Sequence, residues 1–165
     1  MNQFAQTVRS ARRLLGTAAV LSMVAAGTAF AGSCPADKTV ADGKGQPMAA
    51  FPAQGVTDDV IATNDITKPP VGINDRLFRL RRLVVQPGGV VPWHSHGDRP
   101  AIIYIVSGEI VEYASTCMVP IVHKAGESTA ERAPTQHWWK NLTDKPVELL
   151  SADLFHKQKT DDHMM

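Results

Sequence analysis

The chain has 165 residues and a formal charge of +1, and its first 31 residues read as a removable leader. Removing them leaves 134 residues, ample for one domain and too few for two, and takes three arginines with it, so the charge becomes −2. With no basic stripe left, a nucleic-acid partner is excluded.

The leader carries Arg9, Arg12 and Arg13 and no acidic residue, then an apolar run over 14–26, and closes on Ala29-Phe30-Ala31. A positive start, a short apolar core and small residues at a cleavage site make a secretory signal peptide. The run is broken by Gly16, Thr17 and Ser22 and falls short of the roughly 18–20 residues that span a bilayer. The expected location is therefore the periplasm or the exterior, with no membrane anchor after cleavage. Arg12-Arg13 resembles a twin-arginine signal but has Ala11 where a hydroxyl residue is usual, so the export route stays open.

Residues 32–55 are rich in Ala, Gly, Pro and Asp without a period of 2 or 3.6, which predicts a lead-in arm or linker. From residue 56 to 156, apolar or β-branched runs alternate with turn signals. The runs cover 60–66, 77–85, 90–96, 101–106, 110–114, 117–122, 137–142 and 147–155. Strand-length runs at this spacing, with no helical stretch, predict an all-β sandwich or barrel. Within 77–85, alternation puts Arg79 and Arg81 on one face and Arg82 on the other, read as a solvated rim of the barrel. Residues 157–165 are expected to form a flexible tail. The two cysteines, Cys34 and Cys117, either pair in an oxidising compartment, tying the arm to the domain, or leave Cys117 as a free thiol, buried or facing the interior site.

The stretch from Gly88 to Gly108 carries the chemistry. His94 and His96 lie two apart in a strand, so both rings turn to one face about 7 Å apart. Regular alternation adds Val90 and Pro92 to that face and sends Val91, Trp93 and Ser95 to the other. Two imidazoles aimed into a barrel are costly unless something occupies their nitrogens, and a metal does so directly.

The pattern Gly88-x5-His94-x-His96 with Gly108 closing the next hairpin resembles the first motif of the cupin superfamily. Gly126 through His137-x3-Asn141 resembles the second, with Arg132 and Pro134 where proline and glycine are usual. The resemblance spans about residues 75–155 and implies a double-stranded β-helix, or jelly-roll barrel. It also implies that His94, His96 and His137 hold one divalent transition metal per chain, and a homodimer is expected on the same ground. The family's carboxylate ligand falls on Ala101, so the site resembles the three-histidine cupin dioxygenases, with three positions of an octahedral ion left open. Fe(II) is the favoured ion; Zn, Mn, Cu and Ni remain open, since imidazole binds them all.

Around this centre, Tyr104, Trp138, Glu112 and Arg99 are candidates to line a substrate pocket: Tyr104 as a proton donor, Trp138 as an aromatic wall, Glu112 in place of the missing carboxylate, Arg99 for a carboxylate substrate. Each also has a plainer reading as packing or solvated surface. His123 reads as a loop residue. Two functions follow. One is a dioxygenase-type oxidoreductase acting on a small anionic or aromatic molecule; the other is a cupin that binds a small molecule or metal without turnover.

Overall fold

The computed structural model describes residues 32–49 and 51–157; the leader over 1–31 and all but the first residue of the expected tail lie outside them. Eight strands follow a short 3-10 turn at Ala36–Lys38: β1 (Gln54–Asp65), β2 (Arg76–Ser95), β3 (Ala101–Ser107), β4 (Glu109–Ala114), β5 (Ile121–Lys124), β6 (Ser128–Glu131), β7 (Gln136–Lys140) and β8 (Val147–His156). They pair antiparallel in the order β5-β4-β7-β2-β8-β3-β6, with β1 also on β2, and curl into a nearly closed barrel. Among the described residues, no helix is long and apolar enough to cross a membrane.

Alternation explains the interior. Along the first half of β2, Arg79, Arg81, Leu83 and Val85 face inward, and β8 answers with Val147, Leu149, Ser151 and Asp153. Leu83, Val85, Val91, Ile103, Ile105, Ile110, Trp139, Val147 and Leu149 make the main apolar core. Across the outer faces, Phe78, Ile102 and Tyr104 stand exposed.

Three expectations change here. The break expected between the runs 77–85 and 90–96, at Pro87-Gly88-Gly89, is no turn: β2 is one strand of 20 residues that runs through it. The chain bends there instead, with Gly88 at φ +74° and Gly89 packed so closely that a Cβ would meet the Gln86 carbonyl at 2.8 Å. Buried Asn141 holds the bend, its Nδ2 donating to the Val85 and Lys145 carbonyls at 3.0 and 2.7 Å. Second, β6 was not foreseen, because Ser128–Glu131 is short and mostly polar. Third, Arg79 and Arg81 are not a solvated rim. Both are 5% exposed, and each finds an inward carboxylate: Arg79 forms a fork with Asp153 at 3.0 and 2.8 Å, and Arg81 pairs with Asp58 of β1. Burying a guanidinium is tolerable only with such a partner.

The arm docks rather than dangling. Cys34 and Cys117 form a disulfide, and Thr39 bridges Cys117 as an isolated β pair. A Cβ at Gly45 would fall 2.4 Å from the Cys117 carbonyl, so only glycine fits that approach. The disulfide closes 83 residues of chain separation, a constraint on the unfolded state worth about 4–5 kcal/mol. A Cys34→Ser, Cys117→Ser double variant is expected to lose about that much, read as a lower urea midpoint.

Candidate metal centre

The two halves of the centre come from adjacent strands, β2 and β7, on which His94 and His137 are direct partners. Between Val91 and His94 the register slips by one residue, because two residues of β2 intervene where β7 has one. This bulge resets the alternation. Val91, rather than Val90 and Pro92, therefore shares the cavity face with His94 and His96, correcting the face read from the sequence. His137 and His96 are 1% and 2% exposed.

The Nε2 atoms of the three rings converge: 3.1 Å from His94 to His96, 3.0 Å from His96 to His137, and 3.1 Å from His137 to His94. Their far nitrogens are all engaged. Nδ1 of His94 donates to the Pro92 carbonyl at 2.9 Å and Nδ1 of His96 to the Arg99 carbonyl at 2.9 Å. Nδ1 of His137 donates to Glu112 Oε1 at 2.6 Å. A carbonyl or carboxylate accepts only, so each Nδ1 carries a proton, and each ring, when neutral, aims a bare Nε2 lone pair at one point. Three lone pairs that close repel one another unless a cation sits among them. The spacing suits one: donors at right angles around an ion with bonds of about 2.1 Å stand about 3.0 Å apart, while the tetrahedral angle would spread them to about 3.4 Å. The residues present fit a divalent ion on one face of an octahedron.

Electrostatics separate the three rings. Burial, then the neighbouring His137, holds His94 well below the usual imidazole range and His96 at about 3. Burial also opposes charge on His137, but the Glu112 carboxylate outweighs it and raises that pKa. Glu112 resists its own burial because His137 and His123 surround it, and it falls to about 2. Glu131, 3.6 Å from His137 Nδ1, is raised by burial and then by the Glu112 charge.

The sign of the pH dependence follows. His94 and His96 are already neutral at neutral pH, so only His137 has a proton to give up to an incoming ion. Metal uptake at about pH 6 is expected to release close to one proton, not three, with affinity rising about tenfold per pH unit until His137 is neutral. Calorimetry in buffers of different ionisation enthalpy reads this directly. Glu112→Gln should weaken metal binding about 10- to 100-fold in a chelator competition, because it removes the carboxylate that fixes the His137 ring.

The other candidates fall in different places. Glu112 points inward and is buried, but its oxygens go to His137 Nδ1 and to His123 Nε2 at 2.8 Å, so it orients a ring rather than replacing the lost ligand. Tyr104 is 44% exposed on the outer face and does not reach the cavity. Trp138 turns away as well, stacked on Tyr113 at 4.0 Å under Phe51 of the arm. It is Trp139 that lines the cavity, stacked on His123 at 4.5 Å. Arg99 is buried 3.9 Å from Asp153, and its carbonyl serves His96. His123 is a buried strand residue of β5, not a loop residue. Nothing in its sequence context marks it; only the β4–β5 pairing brings it to Glu112. The cavity measures about 30 Å³ and is walled by Leu83, Val91, Ile103, Trp139 and Leu149, with Arg81 and Ser151 as its other polar groups.

Comparison with known proteins agrees with this architecture. Residues 81–153 match the family model of the cupin domain. The Cnp3 cupin domain of Schizosaccharomyces pombe is similar in structure, with a TM-score of 0.50 and 13% identity over 62% of this chain and 66% of that one. A predicted oxalate decarboxylase from Thermotoga maritima aligns with a TM-score of 0.48 and 21% identity, over 61% of this chain and 80% of that one. The cupin domain of an XRE family transcriptional regulator from Enterobacter cloacae gives 0.45 and 13%, over 64% and 100%. No curated protein matches the chain in sequence.

Proposed function

Because this chain is a cupin, with its cupin domain over residues 81–153, we propose that it is an exported metal-dependent oxidoreductase of the dioxygenase type, acting on a small anionic molecule at His94, His96 and His137. The observation that carries this reading is the convergence of three bare Nε2 atoms at 3.0–3.1 Å. Their right-angle spacing supports Fe(II), or another ion at ease with six ligands, over tetrahedral zinc. The Cys34–Cys117 disulfide supports an oxidising compartment.

When bound, an iron(II) ion would supply Lewis acidity and one-electron redox chemistry. The protein's own part is to hold the three rings as neutral donors through Pro92, Arg99 and Glu112, and to keep bulk water out with the walls formed by Leu83, Val91, Ile103, Trp139 and Leu149. A second reading, binding without turnover, is favoured by the size of the cavity, about 30 Å³, enough for roughly two waters.

The test is to purify the chain from Gly32 without a histidine tag, measure its metals by elemental mass spectrometry, and follow oxygen uptake by the iron-loaded protein with small thiols, diketones and carboxylates. Near-stoichiometric iron with ligand-dependent uptake is the expected result. Stoichiometric metal with no uptake, and ligand recovered unchanged, would establish the binding module instead.

A further inference from the structure

The end of the cavity away from the imidazoles is built as carefully as the metal end. Arg81 on β2 and Ser151 on β8 are register partners, and the Arg81 Nη2 donates to Ser151 Oγ at 3.2 Å. The next inward pair toward the bend is Leu83 with Leu149, which gives the cavity an apolar stretch after this polar end. Asp58 of β1 grips the guanidinium through Nη1, so Arg81 is fixed before any ligand arrives.

The buried charges point the same way. Arg79, Arg81 and Arg99 stand against Asp58, Asp153, Glu112 and Glu131, one negative charge in excess when all are ionised. A divalent ion on the three neutral imidazoles turns that into one positive charge. The interior then lacks an anion. A planar guanidinium beside a hydroxyl suits a planar carboxylate, and so small a space admits only a few heavy atoms.

We propose that Arg81 and Ser151 form a carboxylate-binding end of the cavity, and that the ligand is a small carboxylate whose opposite end faces His94, His96 and His137. This deepens the proposed function and rests on it only for the metal-facing end.

The test is calorimetric titration of acetate and of azide into the wild type, Arg81→Gln and Ser151→Ala, each as apoprotein and loaded with cobalt(II). Acetate requires the guanidinium, whereas azide is small enough to sit at the imidazole end alone. Acetate affinity is expected to fall about 10- to 100-fold in Arg81→Gln and about tenfold in Ser151→Ala, with azide affinity for the cobalt form within about threefold throughout. Arg81→Gln also breaks the pair with Asp58; if it does not fold, Ser151→Ala, which leaves that pair intact, decides the matter. Acetate that fails to bind the wild type, or binds both variants unchanged, or weakens in step with azide, overturns the proposal. A wild type that takes no cobalt yet binds acetate through Arg81 would remove the metal reading and leave the carboxylate site standing.

Discussion

Alanine in place of His94, His96 or His137 will take the bound metal from near one ion per chain to near none, while the β-rich fold survives. Two imidazoles without the third hold a first-row ion weakly, and among the described residues this cluster consists of the three histidines alone. The three variants should differ in stability. His94 is only partly buried and its Nδ1 meets a backbone carbonyl, so His94→Ala should cost little beyond the metal. His137 is the charge partner of Glu112 in a fully enclosed place, and His137→Ala leaves that carboxylate with His123 alone. A further loss of up to about 3 kcal/mol is expected there. Elemental analysis reads the first effect and urea unfolding the second. Unchanged metal in all three variants would remove the site.

Asp153→Ala should be the most destabilising single change in the barrel, at about 3–5 kcal/mol. Its carboxylate is 1% exposed and accepts the Arg79 fork, with Arg81 Nε at 3.6 Å and Arg99 Nε at 3.9 Å. Removing it leaves three guanidiniums in one low-dielectric region without their shared acid, while Arg81 keeps Asp58. Set against a typical total of about 5–15 kcal/mol, such a loss brings the domain close to unfolding at ordinary temperature. A urea midpoint lowered by less than the equivalent of about 1 kcal/mol would mean that water reaches these charges.

The all-β class and the His94–His96 pair were legible because both depend on short-range pattern: strand-length runs, and two histidines one residue apart; His137, 41 positions on, came only with the resemblance to the second cupin motif. The remainder depends on what lies across the sheet. Arg79 and Arg81 look like surface residues until Asp153, 74 positions later, and Asp58, 23 earlier, are set beside them. Neighbours in a strand point to opposite faces, so Trp138 and Trp139 part ways, but parity alone does not say which faces in. The bulge in β2 is defined only against its partner β7 and carries no sequence mark, so Val90 and Pro92 were placed on the wrong side. Glu112 stood only as one candidate for the missing carboxylate, and its task needed His137 and His123 in view. The cysteines left alternatives that only spatial proximity resolves, with Cα atoms 5.8 Å apart.

The bulge between Val91 and His94 has a consequence for how such a gene can change. Because one supernumerary residue sets the facing of everything after it, loss of a single codon there would turn both histidines of β2 outward while altering no other amino acid. Descendants of this sequence can vary the chemistry of that segment widely, but not its length. An in-frame deletion of three nucleotides would silence the centre as completely as losing its ligands, and restoring them would revive it in one step.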